Sequence, residues 1–202
     1  AERLQPAGIL ARNDPRVRLL EGLEQTVTVL HGTVPEGIEI REGRVRYVVD
    51  PYRGQKTGLF LDQRENRVAA AGYARGRALD AFSYNGGFGL QVAAQSDEVL
   101  AVDVSADAIA RVQRNAERNG ITNVKVQEAN VFDVLHELDA SGRRFETVIL
   151  DPPAFAKSKD AVDKARRGYK EINLRALRIL TPELTPPALA APPRLTCALP
   201  MR

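Results

Sequence analysis

The stretch that decides the fold is "ALDAFSYNGGFGLQVA", residues 78–93. An apolar run passes through Asp80 to Phe82, and three glycines then follow within four positions. Short apolar runs of this kind are typical of buried strands, and a glycine turn after such a strand commonly opens a helix. In an open parallel sheet the turn lies at the carboxyl ends of the strands, where backbone amides can approach a ligand. The stretch therefore predicts a ligand-binding strand–turn–helix unit.

The residues around this stretch continue the alternation of strand and helix. Short apolar strands separated by helical patterns are typical of an α/β fold with a parallel sheet. The predicted strands are "RALDAF", "EVLAVDV", "VKVQEA" and "TVILD". Ser105 is predicted to cap the helix after the second strand, and Asn119 with Gly120 to end it. A helix after residue 160 is predicted to bury Val162, Ala165, Tyr169, Ile172 and Ala176.

The two ends of the chain differ from this alternating region. Around the turn "REGR", the period-two pattern of Ile38, Ile40, Val45, Tyr47 and Val49 predicts a β-hairpin. Residues 181–202 hold six of the twelve prolines, and because proline disrupts both helices and strand ladders, we expect neither element there. The predicted organisation is a hairpin region over 1–54, a sheet domain over 55–180 and a Pro-rich tail over 181–202.

Composition excludes several classes of protein. Hydrophobic residues make up 44% and charged residues 27%, which are values of a globular protein. Because no run of about 18 apolar residues and no secretory signal is present, we expect no membrane partner and a cytoplasmic location. Cys197 and two distant histidines cannot form a zinc cluster, so no metal is expected. A net charge of +3 permits an anionic partner without requiring one.

Acidic residues end two further strands. Asp103 closes the second strand, where a carboxylate can accept hydrogen bonds from ribose hydroxyls. Asp151 ends the fourth strand in "VILDPPAF", residues 148–155, and the two prolines hold it in extended geometry. The glycine pattern alone is weak, because Val92 stands where a dinucleotide fingerprint has its third glycine. The coincidence of three such strand ends favours a cofactor-binding crevice over a purely structural turn.

Four segments resemble the cofactor motifs of class I S-adenosylmethionine-dependent methyltransferases. In chain order they are "DAFSYNGGFG", "AVDVS", "EANVFD" and "ILDPPAF". The segments "GQKTGLFLDQRENR" and "KARRGYKEINLRALRIL" are similar to the bacterial cytosine-C5 methyltransferases of large-subunit (23S) ribosomal RNA that carry a PUA domain. This similarity covers roughly residues 6–182. The resemblance implies a Rossmann-like class I methyltransferase fold with a parallel sheet after a small β-hairpin region. It also implies S-adenosylmethionine as cofactor and rRNA as substrate, and it leaves a homodimer open.

The resemblance further implies a cofactor site made of three groups of residues. The group around the methionine part consists of Asp80, Phe82, Ser83, Tyr84, Asn85, Gly86 and Gly87. The group at the ribose and adenine consists of Asp103, Ser105, Asn130, Val131 and Phe132. The group expected to close over the cofactor or the RNA consists of Gln55, Lys56, Thr57 and Arg64. Asp151 completes the site, both as a cofactor contact and as the catalytic residue.

The chemistry implied by the resemblance is methyl transfer to C5 of cytosine. Because C5 is a weak nucleophile, such enzymes add a cysteine thiolate to C6, and a base later removes the C5 proton. Asp151 would stabilise this adduct by a hydrogen bond to the cytosine ring. The family carries its cysteine in a Ser-Cys-Ser motif after a fifth strand, whereas residues 183–202 depart from that pattern and Cys197 is expected to lie outside any strand. We therefore expect the PUA domain and the C-terminal part to be missing. We also expect the chain to bind the cofactor better than it catalyses methyl transfer. A shift of reading frame near Pro182 would explain the change in composition.

Three other functions are compatible with parts of the pattern. An amino-group (N-)methyltransferase also uses Asp-Pro-Pro, but it places an aromatic residue where Ala154 stands. A nicotinamide-dependent dehydrogenase would share the sheet and Asp103, but it has no use for Asp-Pro-Pro. A non-catalytic fragment that binds cofactor or RNA remains open because the nucleophile is out of place. Candidate contacts for RNA phosphates are Arg41, Arg44 and Arg46 on the hairpin, and Lys157, Lys159, Lys164, Arg166, Arg167 and Lys170 around the Asp-Pro-Pro loop.

Overall fold

The structure is a computed structural model that describes residues 3–54, 58–156, 161–182 and, by their backbone, 194–197. It divides into two compact units, Ala1–Arg41 with Tyr47–Leu61, and Glu42–Arg46 with Asp62–Arg202. Across these described ranges, no helix has the length and apolar character needed to cross a membrane.

The first unit contains a two-stranded antiparallel sheet. Strand β1 (Gly8–Asn13) pairs with β2 (Thr26–Gly32), and the short helix α1 (Val17–Leu20) lies between them in the chain. Arg12 anchors a neighbouring loop, because its guanidinium donates to the carbonyl oxygens of Pro51 and Gly54 at 2.9 and 3.0 Å.

The predicted hairpin is confirmed. Strands β3 (Ile38–Glu42) and β4 (Val45–Val49) pair around a turn in which Gly43 has a φ of 58°. This left-handed conformation is one that glycine adopts without steric cost. Val45, Tyr47 and Val49 are buried, whereas the intervening Arg46 is exposed, as the period of two requires.

The second unit carries a five-stranded parallel sheet in the order β7-β6-β5-β8-β9. Its strands are β5 (Arg77–Ala81), β6 (Glu98–Asp103), β7 (Val124–Glu128), β8 (Thr147–Leu150) and β9 (Arg194–Cys197). Its helices are α2 (Arg64–Ala71), α3 (Gly87–Val92), α4 (Ala106–Arg118), α5 (Val131–Ser141) and α6 (Val162–Ile179). The prediction of a Rossmann-like α/β fold with a parallel sheet after a β-hairpin is confirmed.

Apolar clusters fill both faces of this sheet, because successive strand residues point to opposite sides. Leu79 belongs to a cluster that includes Leu135 of α5 and Ile172 of α6. The neighbouring Ala78 belongs to a second cluster that includes Phe88 of α3. The sheet is therefore covered by helices on both sides, which explains why its central strands read as continuous apolar runs.

The helix boundaries follow the predicted capping residues. Ser105 Oγ accepts a hydrogen bond from the Ala108 N–H at 3.3 Å and caps α4, and Gly120 beyond its end has a φ of 64°.

In α6, the predicted burial of Ala165, Ile172 and Ala176 is confirmed, and Tyr169 is partly buried; Val162 is 46% exposed. The prediction for Val162 was wrong because this residue is the first of the helix, one turn ahead of the buried Ala165.

Strand β9 corrects the prediction for the tail. Residues 194–197 pair with β8 in parallel, from Thr147 with Arg194 to Leu150 with Cys197. The expectation of no strand over residues 181–202 was therefore wrong, as was the placement of Cys197 outside any strand. The segment "RLTC" contains no proline, and β8 presents an apolar, buried edge with which it can pair. The prediction rested on the proline-rich composition of the whole tail, and it therefore missed this four-residue segment without proline.

Candidate cofactor-binding site

The site lies where the strand order of the sheet reverses. From β5 the chain proceeds through β6 to β7 on one side, whereas β8 and β9 lie on the other side. In open α/β sheets the ligand crevice forms outside the carboxyl ends of the strands at this switch point. Phe82 follows β5, Asp103 ends β6 and Asp151 follows β8, so these predicted residues share one edge. The Asp151 N–H donates to the Ala81 carbonyl at 3.5 Å and continues the ladder.

The loop after β5 has an unusual backbone. Phe82, Tyr84 and Gly86 have φ values of 68°, 51° and 82°. Hydrogen bonds hold the turn, because the Ser83 N–H donates to the Val102 carbonyl at 2.9 Å and the Gly86 N–H to the Ser83 carbonyl at 2.8 Å. Left-handed conformations of residues that carry a Cβ cost free energy and cluster at functional sites. The segment predicted to surround the methionine part is thus a tight, strained loop.

Asp103 connects this loop to the start of α4. Its Oδ2 accepts a hydrogen bond from the Tyr84 N–H at 2.8 Å, and its Oδ1 accepts one from the Ser105 N–H at 3.0 Å. Each carboxylate oxygen has a further lone pair that can accept another donor. Asp103 is therefore a fixed, oriented acceptor, as a ribose with two hydroxyl groups requires. Ser105 lies beside it, and its contact with the cofactor stays a prediction.

Asp80 is a buried carboxyl group within the same site. It is 1% exposed, and its Oδ2 accepts a hydrogen bond from the Gly89 N–H at 2.7 Å. Burial raises the pKa of Asp80 to about 7; the Gly89 hydrogen bond opposes this rise, and the nearby charges of Asp151 and Asp103 add to it. A Cβ at position 89 would lie 2.8 Å from Oδ2, so the contact needs glycine.

Ser83 and Asn85 place two more polar groups in the loop. The Ser83 side chain is buried, and its Oγ has no hydrogen-bond partner in the part of the chain that the structure describes. Asn85 is also buried, and its carbonyl accepts from the Asn115 side-chain amide at 3.3 Å. Because a buried hydroxyl without a partner is costly, Ser83 is suited to bind a polar ligand.

The residues predicted for the adenine lie at the start of α5. Asn130 is exposed and caps this helix, because its Oδ1 accepts from the Phe132 N–H at 3.0 Å. Val131 is buried, and Phe132 is partly buried and packs against the apolar core. The role of Asn130 toward adenine stays a prediction, and it would use the remaining lone pair of Oδ1.

An aromatic cluster joins the ends of several elements near Asp151. The ring centroid of Phe155 lies 6.3 Å from Phe82, 5.7 Å from Phe132 and 4.5 Å from Tyr169. Offset or tilted ring pairs at such distances are favourable contacts. The cluster fixes the segment after Asp-Pro-Pro against α5 and α6.

The group expected to close over the cofactor or the RNA is described only in part. Gln55, Lys56 and Thr57 lie outside the described residues. Arg64 is the first residue of α2, with a side chain that is 63% exposed and an Nε 3.8 Å from the Glu65 carboxylate.

Sequence reasoning missed a buried ion pair behind the glycine turn. Arg67 Nε and Nη2 donate to the two carboxylate oxygens of Glu42 at 2.6 and 2.7 Å, with side chains 3% and 4% exposed. The Arg67 Cδ lies 2.9 Å from the position of a Cβ at Gly87. Gln91 of α3 also donates to the Glu42 carbonyl at 2.5 Å. No local pattern connects residues so far apart in the chain, so this contact gave no signal in the sequence.

Together, the parallel sheet, the oriented carboxylate at the end of β6 and the strained glycine loop are typical of α/β proteins that bind a nucleotide cofactor. The sequence model of the family described as S-adenosylmethionine-dependent methyltransferase matches residues 18–196. The chain belongs to this family. The match extends beyond Pro182 and ends at residue 196, within β9, further than the motifs alone had indicated.

Named relatives agree with this assignment. The chain is 42% identical over 179 residues to ribosomal RNA large subunit methyltransferase I of Aeromonas salmonicida, a match covering 86% of this chain and 45% of that protein. It is 42% identical over 181 residues to the protein of that name from Vibrio cholerae, covering 86% and 46%. The chain thus spans about half the length of the curated relatives it matches.

Solved structures show the same fold. One, described as a methyltransferase complexed with SAH, has a TM-score of 0.67 and 28% identity, and the match covers 77% of this chain and 42% of that one. A SAM-dependent methyltransferase from Agrobacterium tumefaciens has a TM-score of 0.71 at 17% identity, covering 90% and 59%, and this likeness shows the fold alone. The predicted enzyme class and the predicted cofactor are confirmed for the family.

The residues present fit S-adenosylmethionine. Asp103 offers oriented acceptors for a ribose, and the Ser83 hydroxyl, which has no hydrogen-bond partner among the described residues, offers a buried polar contact. The carboxylates of Asp103 and Asp151 are near enough to Asp80 for their charges to raise its pKa, and these two carboxylates suit a ligand with a positively charged sulfonium and amino group.

Proposed function

We propose that this chain is the cofactor-binding and catalytic part of an RNA methyltransferase that forms 5-methylcytosine in large-subunit rRNA. The observation that carries the proposal is the common edge of β5, β6 and β8, where Asp80, Asp103 and Asp151 come together. S-adenosylmethionine supplies, when bound, an electrophilic methyl group. The names of the rRNA methyltransferase relatives support an RNA substrate.

The roles of the chain's own residues follow from their positions. Asp103 holds the ribose, because both of its oxygens are already oriented by backbone N–H groups. Ser83 binds the methionine part through its buried hydroxyl. Asp151 orients the target base, because it leaves β8 at the crevice and the two prolines after it keep the backbone extended.

Methylation at C5 of cytosine requires a thiol. A thiolate would add to C6 and make C5 nucleophilic toward the methyl group that S-adenosylmethionine supplies, with S-adenosylhomocysteine as the leaving group. A base would then take the C5 proton, and expulsion of the thiolate would restore the ring. Cys197 is the chain's single cysteine, and the register of β9 aligns its backbone with Leu150, the residue before Asp151. This alignment supports Cys197 as the nucleophile.

A basic surface supports RNA as the partner. Lys164, Arg166, Arg167 and Lys170 are exposed on the amino-terminal half of α6, which follows the Asp-Pro-Pro segment. Lys157 and Lys159 lie outside the described residues. Exposed cations beside an active site neutralise phosphates and give salt-dependent affinity. A homodimer and a cytoplasmic location stay predictions.

Calorimetric titration with S-adenosylmethionine tests the cofactor site, with NADH as the control ligand. Asp103→Ala should weaken binding about 10- to 100-fold, because a hydrogen bond to a charged group contributes about 1.5–3 kcal/mol. Asp107→Ala is the matched control, since this exposed acid lies in the first turn of α4. Equal loss in both variants, or none in either, would contradict a ribose contact at Asp103.

An RNA that carries 5-fluorocytosine tests the site of methylation. Fluorine cannot leave C5 as a proton does, so a C5 enzyme should remain covalently joined to the RNA, and Cys197→Ser should abolish the adduct. Methylation of unmodified RNA without any adduct on the fluorinated one would instead indicate an amino-group methyltransferase. Cofactor binding without turnover or adduct would indicate a non-catalytic fragment.

A further inference from the structure

Arg111 of α4 lies over the ring of Tyr84 in the loop after β5. Its guanidinium carbon is 5.3 Å from the ring centroid. Its Nε is buried and has no hydrogen-bond partner among the residues that the structure describes. A cation above an aromatic face is attracted by the ring quadrupole, and more strongly when water is excluded. The contact therefore holds the Tyr84 side chain against α4.

Tyr84 is also the residue that orients Asp103. Its backbone has a φ of 51°, and in this conformation its N–H donates to Asp103 Oδ2 at 2.8 Å. Asp103 Oδ1 accepts from the Ser105 N–H at the start of α4, the helix that carries Arg111. Asp103 is thus linked to α4 by two routes: directly through the Ser105 N–H, and indirectly through Tyr84 and Arg111.

We infer that Arg111 is a positioning residue for the cofactor. It keeps Tyr84 in a left-handed conformation that a residue with a Cβ otherwise avoids, and it thereby keeps the Asp103 carboxylate turned toward the ribose. Without a cation over the ring, the Tyr84 backbone relaxes, its N–H leaves Oδ2 and the carboxylate rotates. The inference rests on the proposed function, because it takes Asp103 as the ribose contact.

Calorimetric titration of the full chain with S-adenosylhomocysteine tests this role. Arg111→Met keeps the length of the side chain but removes the cation, and it should weaken binding about 5- to 30-fold. Arg111→Lys keeps a cation that can interact with the face of the Tyr84 ring, and it should bind within about threefold of the wild type. The matched control is Arg114→Met, an exposed position on the same helix, which should bind as the wild type does.

A double-mutant cycle with Tyr84→Leu separates positioning from a general structural effect. If Arg111 acts through the ring, Arg111→Met should cause no further loss of affinity in the Tyr84→Leu background. Equal losses in the two backgrounds, or wild-type affinity in Arg111→Met, would overturn the inference. Failure of the wild type to bind, or binding that Asp103→Ala leaves unchanged, would overturn the proposed cofactor site and the inference with it.

Discussion

Asp80 is the residue that most directly links the cofactor site to pH. It is buried, bonded to the Gly89 N–H and close to the charges of Asp151 and Asp103. Its pKa of about 7 means that the carboxyl group is largely protonated in mildly acidic solution, whereas an ordinary Asp is ionised there. Folding therefore retains a proton that the unfolded chain releases.

We predict that this proton makes the free energy of unfolding fall as pH rises from about 4 to about 7, because the folded state binds more protons in this window. The slope from Asp80 is on the order of 1.4 kcal/mol per pH unit. Urea denaturation of the wild type and of Asp80→Asn at several pH values measures it. The variant should show a shallower fall, and parallel curves for the two proteins would assign the titration to another group.

At the scale of elements, the loop after β5 and helix α3 depend on glycine at position 86. Gly86 has a φ of 82°, and a Cβ there would lie 3.0 Å from Leu90 Cδ1 and 3.1 Å from Val112 Cγ1. Gly120 has a similar φ of 64°, but nothing lies within 4 Å of its Cβ position. The two glycines share the conformational requirement and differ in packing.

We predict that Gly120→Ala lowers the free energy of unfolding by about 1–2 kcal/mol through backbone strain alone. Gly86→Ala should lower it by about 1–3 kcal/mol more, because the new methyl group must also displace core side chains. Urea denaturation measures both values. Equal losses would show that the core around Leu90 and Val112 accommodates the methyl group.

The Arg67–Glu42 pair connects α2 to the end of β3 behind α3. Because both side chains are buried, Arg67→Ala should lower the free energy of unfolding by about 3–5 kcal/mol through the unpaired Glu42 carboxylate. Glu65→Ala on the same helix removes an exposed partner of Arg64 and should cost about 1 kcal/mol or less. Thermal or urea unfolding distinguishes the two, and similar losses would mean that the buried pair contributes no more than a surface pair.

At the scale of the whole molecule, β9 determines how the sheet ends. Strand β8 is fully buried and pairs with β5 on one side and β9 on the other. Removing residues 183–202 would leave the β8 edge open, and exposed apolar edges promote association between chains. We predict a lower unfolding midpoint and aggregates for the truncated chain. Light scattering during size-exclusion chromatography checks this, and a monodisperse, equally stable product would contradict a structural role for β9.

The sequence by itself determined the alternation of strands and helices, the hairpin, the caps of α4 and the acids at the strand ends. These features are local: strand periodicity, capping residues and turn glycines each act within a few positions. Because the carboxyl ends of parallel strands meet at one edge, Asp103 and Asp151 could be placed together from their positions alone. The roles of Asn130 and of residues 55–57 stay predictions.

Only the tertiary structure decided the contacts between distant segments. The Arg67–Glu42 pair, the Arg111 contact with Tyr84 and the burial of the Ser83 hydroxyl depend on which faces the helices turn toward one another, and no local pattern records this. Strand β9 was missed for a related reason. Four residues have little preference of their own, and it is pairing with the buried edge of β8 that selects the extended conformation.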